Sequence, residues 1–265
     1  GGALEARPRR SVALVGPAAT GGPQRTTRRG GPRSKTMQPG FLSPLVRSHL
    51  ANAYPRNHAY FIAGGRLIPR WRLWRRYRRI RALYPPGFES LVDLSASKGW
   101  FCLHAAQRLG AERVLGIDLH EPDLAASREV RDHLGLGDVR FEEMRLHQLH
   151  SELESFGGVF DVSLVINLYH YLFFGSRRAE DHYGSHEEIF RLLRGVTGKA
   201  LILSNCTEVD HLPGHMQVIA REQGRAGDYT SQRIWDAAEQ FFDIVDHGRL
   251  GKRPLWRLTP RVDGA

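Results

Sequence analysis

The sequence predicts an α/β fold, a seven-stranded, mostly parallel, doubly wound sheet closed by a C-terminal antiparallel hairpin. Three observations predict it. Short apolar runs alternate with helical patterns through residues 86–265, which favours parallel strands covered by helices on both faces. The run Leu91-Val-Asp93 leads through the small-residue turn Leu94-Ser95-Ala-Ser97-Lys-Gly99 into a helical pattern, and a second apolar run then ends at Asp118. Finally, the last two apolar runs are separated only by Gly251-Lys252-Arg253, too short for anything but an antiparallel connection.

In order, strands are expected at Ser90–Leu94, Arg113–Leu119, Val139–Met144, Phe160–Asn167, Lys199–Asn205, Phe242–Leu250 and Pro254–Pro260. Helices fill the intervals at Gly99–Leu109, Pro122–Leu134, Leu146–Phe156, Ser185–Val196 and Ser231–Gln240. Between the fifth strand and the last helix, Thr207–Thr230 is long and turn-rich, and long loops in compact domains are commonly functional. It is expected to be a lid over a bound acceptor. Upstream, Ile68–Tyr84 reads as a helix opened by Pro69 and stopped by Pro85-Pro86. One face carries Trp71, Trp74, Tyr77 and Tyr84, the other a row of arginines.

A strand, a tight turn of small residues and a helix N-terminus form an anion- and nucleoside-binding device, with an acidic residue about 20 positions on placed to meet ribose hydroxyls. On Asp93–Gly99, Asp118 and Phe160-Asp-Val-Ser-Leu-Val-Ile-Asn167, the chain resembles the class I S-adenosylmethionine-dependent methyltransferases over about residues 86–260. The resemblance implies a methyltransferase using S-adenosyl-L-methionine. It implies cofactor binding by Asp93, Ser95, Gly99, Asp118, Leu119, Met144 and Asn167, with Asp93 acting through the turn on the methionine end and Asp118 on the ribose. Ser95 and Ser97 stand where the family usually has glycine, and each adds a Cβ and narrows the allowed backbone conformations. Arg145 stands where an acidic residue often meets the adenine amine, which leaves Met144, backbone groups or Glu143 to hold the base.

Open α/β sheets bind ligands at the carboxyl ends of their strands. His170, just beyond the fourth strand, is the candidate base, since imidazole titrates near neutral pH; a histidine that caps the strand is the competing reading. Tyr169 and Asn205 are candidate acceptor-binding residues, and Tyr171 is a packing or wall residue. His211 and His215 lie four apart, but Pro213-Gly214 intervenes and no third ligand is evident, so no metal is expected. Cys102 and Cys206 have neither disulfide nor zinc spacing, which fits a reducing, cytoplasmic setting.

Charge divides the chain. Residues 1–36 carry +7 and residues 66–81 carry +8, leaving −5 on the rest of a chain whose net charge is +10. Residues 1–36 are rich in Gly, Pro and Arg, read as a disordered tail, and are a non-native extension, a presequence or a true basic arm. Residues 37–85 read as a helical extension. No apolar run is long enough to span a bilayer. A small-molecule acceptor is expected. The alternatives are an RNA acceptor gripped by Arg72, Arg75, Arg76 and Arg79, or an inactive methyltransferase-like RNA-binding or scaffold module. Leu168-Tyr169-His170 has a faint similarity to methyltransferase-like enzymes of the transfer-RNA wobble uridine.

Overall fold

The computed structural model describes residues 42–176 and 182–262. The expected tail at 1–36 lies outside them. The chain builds β1 (Tyr60–Ala63), β2 (Arg66–Pro69), β3 (Ser90–Asp93), β4 (Arg113–Asp118), β5 (Val139–Glu143), β6 (Phe160–Ile166), β7 (Thr197–Ser204), β8 (Phe242–Leu250) and β9 (Arg253–Pro260). Its helices are α1 (Pro44–Asn52), α2 (Trp71–Arg81), α3 (Trp100–His104), α4 (Glu121–His133), α5 (Leu146–Ser151), α6 (Tyr169–Phe174), α7 (His186–Val196), α8 (Gly214–Glu222) and α9 (Ser231–Glu239).

Seven strands pair in the order β5-β4-β3-β6-β7-β9-β8, parallel from β5 through β7 and antiparallel at β9 and β8. The strand order reverses between β3 and β6. This is the switch point at which the two crossover directions diverge and leave a crevice beyond the carboxyl ends of the strands. β3 is buried on both faces, as the interior strand of a doubly covered parallel sheet must be. One apolar core lies on each side of the sheet: Tyr77, Trp100, Phe101 and Phe141 belong to one, Tyr169, Phe173, Phe190 and Phe242 to the other.

Three elements depart from expectation. Residues 37–85 are more than a helical extension, because β1 and β2 form an antiparallel hairpin around Gly64-Gly65, both at positive φ. A Gly-Gly pair between two four-residue strands is a hairpin turn signal. The arginine helix therefore starts at Trp71, and Pro69 ends β2 instead of opening the helix. Third, Thr207–Thr230 is not a loop throughout: Pro213 caps α8 and Gly214 begins it, because proline's fixed φ and missing N–H are tolerated at a helix start.

The arginine face is also not what its periodicity suggests. Leu73, Tyr77 and Ile80 are buried, whereas Trp71 is 68% exposed and belongs to the solvent side. Arg76 turns inward, with Nη2 2.6 Å from His58 Nε2 and its guanidinium over the Phe101 ring. Arg79 donates to the carbonyls of Arg249 and His247 on β8, clamping the helix to the sheet edge. Of the four arginines expected to grip RNA, Arg76 and Arg79 are engaged within the protein, and Arg72 and Arg75 are exposed.

Candidate active site

The turn after β3 is organised by its own polar groups. Asp93 Oδ1 accepts from Ser95 N at 3.1 Å, and Ser95 Oγ donates to the Ile166 carbonyl at the end of β6. Ser97 sits at φ 47°, the left-handed conformation a glycine would adopt there without strain. Its N–H donates to Asp118 Oδ2 at 2.8 Å and its hydroxyl to Asp123 Oδ2 at 3.0 Å. The two serines in glycine positions thus use their hydroxyls to fasten the turn to β6 and α4. Asp118 Oδ1 additionally accepts from Leu119 N and His120 N, so its carboxylate orients three backbone amides.

Gly99 is required for a different reason than ligand approach. It caps α3 at φ 71°, and a Cβ there would stand 2.7 Å from Phe141 Cζ and 2.8 Å from Ser127 Oγ. It lets α3 pack tightly on β5 and α4 but does not line the cavity.

The N-terminal segment is docked onto this turn. Lys98 Nζ is buried and donates to the Ala53 carbonyl at 2.6 Å, and Tyr60 donates to the Lys98 carbonyl. His49 Nε2 lies 2.6 Å from Asp123 Oδ1, and His120 Nδ1 stands 3.3 Å from Asp123 Oδ2. A single buried carboxylate in the first turn of α4 thus joins α1, the turn and the β4 end. Negative charge is favoured there by the helix dipole.

Beyond these strand ends lies a cavity of about 990 Å³, at the upper end of the range for ligand pockets. Its walls include Ser95, Asp118, Leu119 and Met144 on the β3–β5 side and Asn167 and His170 on the β6 side. Those six sequence-predicted residues are brought together. Asp93 is buried beneath the turn and does not reach the cavity, consistent with an indirect role through Ser95. Met144 and Arg145 line the wall, whereas Glu143 does not.

His170 is set by a network that fixes its tautomer. Tyr229 donates its hydroxyl proton to the Cys206 carbonyl, and Asn205 Nδ2 donates to that carbonyl and to the Tyr229 oxygen. Asn205 Oδ1 is therefore left as an acceptor, 3.1 Å from His170 Nδ1. The proton resides on Nδ1, and Nε2 is a bare lone pair, buried and without a hydrogen-bond partner. Burial is the largest influence and lowers the His170 pKa to about 4, so the ring is neutral at ordinary pH.

Two expected acceptor-binding residues have other roles. Asn205 is fully buried, does not line the cavity and acts by holding His170. Tyr169 is a core residue: its ring stacks on His186 and its hydroxyl lies 2.8 Å from His186 Nδ1. The period of the short helix α6 turns position 169 inward while 170 and 171 face the cavity. Conversely, Tyr54, Pro55, Asn57 and His58 line it from the N-terminal segment, His215 from α8 and Arg253 from the head of β9. Apart from His215, whose spacing from His211 suggests only a metal pair, no motif marks these residues in sequence, because the packing of remote elements brings them in. Among the described residues no group of three or more His, Cys, Asp or Glu is arranged to hold a metal, and no helix is long and apolar enough to cross a membrane.

The cavity suits a nucleoside sulfonium cofactor. It offers a carboxylate (Asp118), apolar walls at Leu94, Ile117 and Ile166, and an unpartnered buried acceptor, Asn167 Oδ1, at the switch point. Residues 91–194 match the family model described as a methyltransferase domain. Residues 91–194 are thus a methyltransferase domain, and the seven-stranded sheet around them has the class I methyltransferase fold. Similar solved structures include monomeric WbdD (21% identity, 71% of this chain and 40% of that one, TM-score 0.48). The N-terminal domain of EvdMO1 with SAH bound is 19% identical over 71% of this chain and 80% of that one, with TM-score 0.48. An O-methyltransferase family protein from Burkholderia thailandensis is 18% identical over 73% and 57%, with TM-score 0.47. The chain spans about 40% of the length of WbdD. A search of curated proteins gives no match.

Proposed function

We propose that the methyltransferase domain is active and methylates a small-molecule acceptor that must lose a proton, with His170 as the base. The observation that carries this reading is the bare Nε2 of His170, a buried atom with no partner in the protein, on a ring fixed by Asn205 and belonging to a residue of the cavity wall. When bound, S-adenosylmethionine supplies an electrophilic methyl group. The protein's task is then to hold the acceptor in line, exclude water and receive the acceptor's proton at His170 Nε2. Asp118 would hold the ribose hydroxyls, while Ser95, Leu119, Met144 and Asn167 would surround the rest of the cofactor. Asp93 and Gly99 contribute through the turn they shape.

A concave cavity sized for a cofactor and one small partner favours a small acceptor. The RNA reading keeps only Arg72 and Arg75 of its four arginines. Calorimetry with S-adenosylmethionine and S-adenosylhomocysteine tests the central reading, which expects both to bind to one site. A folded protein that binds neither would be an inert module.

A further inference from the structure

We infer that the acceptor carries an oxyanion, a carboxylate or a phosphate group, and that Arg253 is the residue that selects it. The inference rests on the methyl-transfer reading of the cavity and deepens it by naming the acceptor's chemical class.

Arg253 begins β9 directly after the tight connection Gly251-Lys252, and its half-buried side chain lines the cavity. An arginine in such a place normally pairs with a carboxylate. Here the acids along the wall are already occupied. Asp118 accepts from three backbone amides; Asp123 is held by His49, His120 and Ser97; Glu188 accepts from Gly184 N. No carboxylate among the described residues pairs with Arg253. Its positive field reaches His170, His58 and Arg76, adding to the lowering that burial gives each of them, and reaches Cys206, where it opposes the rise that burial causes.

Two further donors converge on the same end of the cavity. His215 lies in the first turn of α8 and its field also reaches His170. The nine-residue helix α8 presents its N-terminus there, with Pro213, His215 and Met216 on the wall. A helix start favours negative charge. The third observation is the buried, unpartnered Nε2 of His170, a residue of the same cavity wall. A guanidinium fork, a helix start and a bare base form a site for a group with an anionic end and a nearby proton to surrender. Neutralising Arg253 with that anion would also restore basicity to His170, so the correct acceptor would strengthen its own base.

The test uses the full chain saturated with S-adenosylhomocysteine, titrated with benzoate and with inorganic phosphate by calorimetry. One of the two anions is expected to bind, and which one does distinguishes a carboxylate from a phosphate. Arg253→Gln should weaken that binding at least about tenfold, the loss of one charge-assisted contact, and Arg253→Lys by less. S-adenosylhomocysteine affinity should not change in either variant. In the unsubstituted protein the bound anion should raise the His170 titration midpoint, read by NMR of the labelled histidines, a readout that survives if the Gln variant does not fold. The inference is overturned if neither anion binds at tens of millimolar, if Arg253→Gln binds it as well as the original, or if His170 does not respond. Failure to bind S-adenosylhomocysteine at all would instead sink the methyltransferase reading.

Discussion

The two halves of the cavity are built on opposite plans. At the ends of β3 and β4, nearly every polar group is satisfied by the protein: Asp118 by three amides, Asp123 by two histidines and a serine, Ser95 by a carbonyl of β6. At the ends of β6 and β7, buried polar atoms are left over on wall residues: His170 Nε2 and Asn167 Oδ1. Buried polar atoms normally find partners, and each exception costs about 1–3 kcal/mol. The first half is a cradle whose wall carboxylates and serines are held by the protein's own groups. The second keeps acceptors and a base free for a ligand, which is how a site that must change partners during a reaction should be built.

The sharpest way to break this contrast is to remove the base. His170→Gln preserves a polar side chain beside Asn205 but cannot take a proton, so methyl transfer should fall by about 10²–10⁴-fold while S-adenosylhomocysteine affinity stays the same. Because burial holds the ring neutral down to about pH 4, the acid limb of kcat/KM should lie near there instead of near the ordinary histidine value, leaving the rate flat above pH 6. A limb close to pH 6.5 would mean that His170 is solvated and the dry half is misread.

In the cradle, the one unresolved tension is charge. Burial, opposed by the Ser95 amide, raises the Asp93 pKa to about 7. The folded state therefore holds a proton between about pH 4 and pH 7 that the unfolded chain has released. Stability falls as pH rises through that window, by on the order of 4 kcal/mol at most, and levels off above it. Asp93→Asn keeps the acceptor for Ser95 N and abolishes the ionisation. Its melting temperature should match the original at pH 4 and exceed it at pH 8; equal pH profiles would show that the charge is compensated within the turn.

Asp118→Ala attacks the cradle directly. It removes the carboxylate proposed to hold the ribose, and cofactor binding should weaken by about 1.5–3 kcal/mol in calorimetry. Because the same oxygens orient Ser97, Leu119 and His120, the melting temperature should fall as well. Unchanged affinity in a folded variant would remove Asp118 from the cofactor site.

The cradle was the more legible half in sequence. Its residues are consecutive or lie at the ends of adjacent strands: the seven strands and the turn from Asp93 to Gly99 follow from pattern, and the cofactor roles of Asp118 and Met144 at those strand ends are what the family resemblance implies. The acceptor half was legible only at His170 and Asn167. Asn205 is conspicuous at the end of its strand, but its bonds to His170 and to Tyr229, 24 residues away, are invisible in sequence. Tyr169 was misplaced by one helical step. Arg253 and His58 have no motif, and His215 stands out only by its spacing from His211: a two-residue hairpin connection, a helix starting at Pro-Gly and the stretch before a small hairpin acquire chemistry only once the sheet brings them to one opening. Arg76 and Arg79 illustrate the reverse, residues with a conspicuous pattern whose partners, His58 and the β8 carbonyls, lie far off in the chain.

The smallest effect is expected outside both halves. Arg72 and Arg75 are exposed on α2, Arg75 leaning toward the exposed Trp71 ring at 5.9 Å, and neither lines the cavity. Exposed charges of this kind contribute little to stability, and a solvated arginine face is sufficient reason for their presence on an amphipathic helix. The double change Arg72→Gln and Arg75→Gln should therefore leave melting temperature, cofactor affinity and methyl transfer to a small acceptor unaltered. Arg76 and Arg79 are left in place because they hold the fold, so a loss in the double variant would report on recognition alone. If instead the unsubstituted protein binds transfer RNA with a steep salt dependence, and the double variant weakens that binding and flattens the slope by about two contacts, the helix reads phosphates and RNA becomes the acceptor class.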